Sequence, residues 1–116
     1  MGASYVYNFE VGNYTCIQPF NSSDTSYPAS ISKMSGLITT SASSIAANAT
    51  IAVDISSSKV TSGVTNIIIT KGNGCPSIQL MYVEIPSTGF FTAFFKNKGT
   101  TPCNTEFTFY YLLINS

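Results

Sequence analysis

Histidine, arginine and tryptophan are absent from this chain, and charge of either sign is scarce. Without histidine there is no Ser-His-Asp triad, no Cys-His pair, no imidazole-ligated zinc and no imidazole proton shuttle. Five lysines stand against five carboxylates, and charged residues make up 9% of the chain, where roughly a quarter is ordinary. A net charge of zero leaves no electrostatic footprint for nucleic acid or an anionic membrane surface. No run reaches the roughly eighteen apolar residues of a membrane span, and residues 1–15 carry neither the basic residues nor the apolar core of a signal peptide. The expectation is a soluble chain with no membrane insertion. Neither a CxxC pair nor a DxDxDG-like loop occurs, so no metal and no cofactor are expected.

What remains is 116 residues, enough for one domain, with 44% apolar residues and a surplus of Ser, Thr and Asn. Apolar residues alternate with period two almost throughout, the pattern of half-buried strands. Ala3, Tyr5, Tyr7 and Phe9 share one parity, and a second strand is expected over residues 14–20. Residues 21–36 are Ser-rich and interrupted by Pro28, which predicts a long surface loop. Strands are then expected over 37–41, 49–55, 64–71, 77–85, 90–96 and 106–114, with 42–49 open to a helical turn. Gly72-Asn73-Gly74 tolerates positive φ and predicts a hairpin turn. About eight strands with turns at short, regular intervals predict an all-β fold, a two-sheet antiparallel β-sandwich of jelly-roll type. Residues 1–35 form its N-terminal strands and loop, and residues 36–115 its core.

Three cysteines, Cys16, Cys75 and Cys103, are odd in number and widely spaced, which favours reduced, buried thiols. The other reading pairs Cys75 with Cys103, since both sit beside proline in loops flanking strands that look like neighbours. Sequons at Asn13, Asn21 and Asn48 arise readily in so Asn- and Ser-rich a chain.

Two strands are apolar on both sides, which a two-layer sandwich does not require. Residues 90–96 place Phe90 and Phe94 on one parity and Phe91 and Phe95 on the other. Residues 106–114 place Phe109 and Leu113 on one parity, Tyr110 and Leu112 on the other. Each exposed side chain leaves about 1.5–3 kcal/mol of burial unrealised, so the second faces call for a cover. Either an N-terminal strand or the Ser-rich loop folds over them, or a second copy of the chain does. Assigning Phe90, Phe94, Phe109 and Leu113 to the core makes Phe91, Phe95, Tyr110 and Leu112 the expected oligomer interface.

Glu10, Asp24, Asp54, Glu84 and Glu106 are far apart in sequence, and only Asp54 and Glu84 lie inside apolar strands. A hydrolase would have to be built on that pair, and a non-enzymatic role is the expectation. Seven tyrosines among many hydroxyls suit a sugar platform, with Tyr14, Asn21 and Tyr27 as the candidate glycan contacts.

Asn66-Ile67-Ile68-Ile69-Thr70, Gly89-Phe90-Phe91-Thr92, Asn97-Lys98-Gly99-Thr100 and the aromatic strand from Phe107 to Ile114 give residues 36–115 a recognisable order. In that order the chain resembles small jelly-roll domains of viral and bacteriophage fibres, spikes and tail-associated proteins. The resemblance implies a homotrimeric structural or attachment component of a virion, found there or in the infected host cell, whose partners are copies of itself and a glycan or host surface protein. The competing expectation is a monomeric carbohydrate-binding module.

Overall fold

In the computed structural model, which describes residues 11–15, 29–40 and 44–115, the alternation becomes eight strands. They are β1 (Val11–Thr15), β2 (Ala29–Ile31), β3 (Ser35–Thr39), β4 (Thr50–Ser57), β5 (Thr65–Lys71), β6 (Ile78–Ser87), β7 (Phe90–Asn97) and β8 (Thr108–Asn115). Sheet A runs β1-β3-β8-β5 and sheet B runs β2-β4-β7-β6, and the two pack face to face as a β-sandwich. Every connection except the β6–β7 hairpin changes sheet. Ribbons β3–β4, β8–β7 and β5–β6 therefore wrap side by side across both layers, a jelly-roll-like course.

The layers are mixed rather than purely antiparallel: β1 pairs parallel with β3, and β2 parallel with β4. A chain that crosses to the other layer and returns arrives travelling in its original direction, which sets these edge pairs parallel. Three expectations change with this topology. Part of the segment read as a loop forms β2. Gly72-Asn73-Gly74 joins the two sheets instead of closing a hairpin, and residues 44–49 form a turn and a bridge from Ile45 to Cys103 in place of a helical turn. Gly74 adopts a φ of 84°, and a Cβ there would meet the Glu106 carbonyl, so only glycine fits the crossing.

The core lies between the layers, with Ile51, Val53 and Ile55 of β4 facing Phe109, Tyr111 and Leu113 of β8 across the sandwich. Phe95, Phe107 and Phe109 form its aromatic centre, ring centroids 5.1–6.5 Å apart. Phe91 and Phe95 are fully buried here, which reverses the parity expected for β7. Register with β4 decides it: Phe91, Ala93 and Phe95 lie opposite Ile55, Val53 and Ile51, the inward set. For β8 the inward parity is Phe109, Tyr111 and Leu113, as expected.

Cys75 and Cys103 are joined by a disulfide, their Cα atoms 5.8 Å apart, so these two are not the reduced thiols that the odd count favoured. Cys16 lies outside the described residues. The bridge ties the β5–β6 crossing to the β7–β8 crossing at one end of the sandwich. Beside it, Asn97 is completely buried and fully satisfied: its Nδ2 donates to the carbonyls of Ile45 and Thr101, and its Oδ1 accepts from the Ser77 hydroxyl and the Gly99 amide. Among the described residues no buried side-chain nitrogen or oxygen lacks a partner.

Candidate functional site

With the core filled, the described strands present side chains to other molecules on the two outer faces and along the β5/β6 side. On the outer face of sheet A, the register sets Leu37 beside Tyr110 and Tyr110 beside Thr70; one step along, Leu112 lies between Ser35 and Ile68, and Ile114 lies beside Asn66. Ile68, Tyr110 and Ile114 are 51%, 48% and 42% exposed. The polar neighbours on these three strands are Ser, Thr and Asn, so the stripe carries no charge.

The same side of the molecule is open at its rim. Ile67 and Ile69 of β5, and Val83 and Ile85 of β6, point inward yet stay only half-buried, because β5 and β6 are the last strands of their sheets. Between them lies a cleft of about 320 Å³ bordered by Ser62, Thr65, Asn66, Ile67, Val83 and Ile85.

The outer face of sheet B is built differently. Its central row is Ala52, Phe94 and Tyr82 on adjacent strands. The Phe94 and Tyr82 rings stack at 4.4 Å and 18°, and Tyr82 is half-exposed. On one side of this row lie Asp54, Thr92 and Glu84, with the Thr92 hydroxyl donating to Asp54 Oδ1 at 2.6 Å. On the other lie Thr50, Lys96 and Gln79. Tyr82 reaches this face through a β-bulge: Leu80 pairs with Phe95 and Tyr82 with Phe94, so Met81 is an extra residue that switches the parity of β6.

The residues singled out from sequence divide between these places. Tyr110 and Leu112 lie on the uncharged outer face of sheet A, whereas Phe91 and Phe95 are core residues and unavailable to a partner. Tyr14 is part of the packing. Its ring lies 6.3 Å from that of Tyr111, and its hydroxyl accepts the Ser32 and Lys33 amides at 3.1 Å each. Burial pulls the Tyr14 hydroxyl upward, but its hydrogen bonds with Ser32, Tyr111 and Lys33 outweigh this and leave it below the ordinary tyrosine value. Asn21 and Tyr27 lie outside the described residues.

Asp54 and Glu84 do share a surface, on either side of Thr92, separated by the width of two strand spacings, roughly 10 Å. An open sheet face excludes no water from that pair. Among the described residues no group of three or more Cys, Asp and Glu is placed to hold a metal ion, and no helix is long and apolar enough to cross a membrane. Tyr82 and Ile68 were not among the residues singled out from sequence, and Phe94, expected in the core, lies half-buried on the outer face of sheet B because the register puts Phe91, Ala93 and Phe95 inward. Glu84 shares the strict parity of Ile78, Leu80 and Tyr82 and has no place in a core, which was the signal that β6 switches faces.

Comparison with known proteins finds no family model, no curated protein and no solved structure that matches this chain.

Proposed function

We propose that this protein works by associating with copies of itself, as a non-enzymatic structural or host-interaction module of a virion, with the outer face of sheet A as the contact. The observation that carries this is the uncharged apolar stripe of Leu37, Ile68, Tyr110, Leu112 and Ile114. A charged patch meeting its own copy brings like charges together; this stripe has none to oppose. The face of four strands measures about 400 Å², half of the ~800 Å² that a standard interface takes from each partner. Association therefore takes in adjoining surface as well, and the half-buried isoleucines and valine of the β5/β6 rim are next to it. A threefold arrangement is what the likeness to fibre domains implies, and it allows one protomer to offer the sheet face while its neighbour offers the rim.

Sedimentation velocity on the full chain tests the reading. The expected result is a species of three times the monomer mass, with Ile68→Lys and Tyr110→Lys variants sedimenting as monomers while keeping the far-UV spectrum of the parent. A parent chain that stays monomeric from micromolar to near-millimolar concentration rejects it.

A further inference from the structure

We infer that the outer face of sheet B is a binding site for a neutral pyranose sugar, seated over Ala52 against the Phe94 ring, which Tyr82 holds in place from behind. Stacking on each other occupies one face of each ring, and the opposite faces remain. Next to Phe94 on β4 stands Ala52, exposed and only a methyl deep, so the row has an open position beside the aromatic pair. A sugar ring with its C–H bonds on one side matches such a surface, because those hydrogens are attracted to the electron-rich face of an aromatic ring.

The flanking rows supply the polar half of the match. Same-face residues on a strand repeat every ~6.7 Å, about the breadth of a pyranose with its hydroxyls. A sugar over Ala52, against the free face of Phe94, therefore brings its hydroxyls to Asp54 on one side and to Thr50 and Lys96 on the other. Thr92 is buried beside Asp54, and Glu84 and Gln79 stand on the far strand with Tyr82. The first row is acceptor-rich, and the bond from Thr92 fixes the Asp54 carboxylate on the sheet. The second offers the Lys96 ammonium and the Thr50 hydroxyl as donors. Hydroxyl groups, which donate and accept at once, are the partners that such a pair of rows satisfies.

Charge selects the class of sugar. Two carboxylates against one ammonium disfavour sialylated or sulfated glycans and any phosphate-bearing polymer. They also disfavour a second copy of the chain on this face, since two apposed copies would bring four carboxylates to two lysines. The site is thus separate from the self-association surface on sheet A, and either can fail without the other.

The test is an amide chemical-shift titration of the full chain with cellotriose, maltotriose, N-acetyllactosamine and sialyllactose. At least one neutral oligosaccharide is expected to give saturable shifts confined to β4, β6 and β7, with millimolar affinity, and sialyllactose to bind more weakly than its neutral counterpart. Tyr82→Ala is expected to weaken binding about tenfold. Ala52→Phe, which fills the open position without cutting the core, should do the same, and Tyr110→Ala should leave binding unchanged. No saturable shift with any of the four sugars, shifts that survive both Tyr82→Ala and Ala52→Phe, or preference for sialyllactose overturns the inference.

Discussion

Tyr111 is a core residue with a polar tip: its ring is 2% exposed, and its hydroxyl donates to the Lys33 carbonyl at 2.9 Å. Gly36, whose added Cβ would press on that ring at 2.8 Å, leaves it room. Burial first, then its hydrogen bond and repulsion with Tyr14, pushes the Tyr111 hydroxyl far above the ordinary tyrosine value. The proton is thus held more tightly in the folded chain than in the unfolded one. The resulting stability is complete below the unfolded pKa of about 10 and is lost as pH rises beyond it. Tyr14, lowered instead, opposes this, but it is only half-buried and the larger shift governs. Urea unfolding across the alkaline range should show the parent losing stability above about pH 10, with Tyr111→Phe losing less. Below that, Tyr111→Phe should be the less stable by about 1 kcal/mol, the net worth of the lost hydrogen bond. An identical alkaline decline in both proteins would show that Tyr111 is not the group responsible. Residues of this kind also decide how far the sequence can be read. Thr92 and Lys96 share a parity with Phe90 and Phe94 and argue for its facing outward, but Asn97 argues equally against the parity of Phe91 and Phe95. That it is buried with four hydrogen bonds follows from the Ile45, Ser77, Gly99 and Thr101 groups around it, which no local pattern reveals.

Among the elements, β4 was fully legible, since Ile51, Val53 and Ile55 alternate cleanly and are all buried. β6 was legible in extent but not in facing, because one bulge at Met81 turns its second half over and brings Tyr82 beside Phe94. Its passage through Pro86 is tolerated because β6 is an edge strand and its register is already shifted there. β2 could not be found by pattern, as three residues show no periodicity and its pairing depends on β4. The crossings between elements were misread for a related reason: a glycine-rich turn looks the same whether it joins strands within one sheet or across two. The disulfide holds two of those crossings. It closes a loop across a sequence separation of 28, for which chain entropy gives about 3.5 kcal/mol of stabilisation. Reducing the bond, or replacing both residues by Cys75→Ala and Cys103→Ala, should lower the urea midpoint correspondingly while leaving the strand spectrum intact. A midpoint that ignores reductant would mean the crossings are held by packing alone, through Phe107, Ile45 and the buried Asn97.

For the molecule as a whole, the two outer faces differ in chemistry: sheet A offers an uncharged apolar stripe, and sheet B an aromatic row between polar ones. Only the first is suited to meeting its own copy, and that choice has a thermodynamic signature independent of mass. If association buries Ile68, Tyr110 and Ile114, the folded state that melts is the assembly, and mass action ties its melting temperature to protein concentration. For a trimer releasing three unfolded chains, each tenfold rise in concentration adds about 0.9 kcal/mol per chain, or about 4 °C in a domain of this size. Calorimetric scans over a hundredfold concentration range should show that slope for the parent chain and none for Ile68→Lys. The same variant should keep the disulfide-dependent stability argued above, because its side chain sits on the outside of β5 and touches none of the core. A parent midpoint that does not move with concentration would leave the stripe exposed in the free molecule, and the self-association reading would then have no energetic basis.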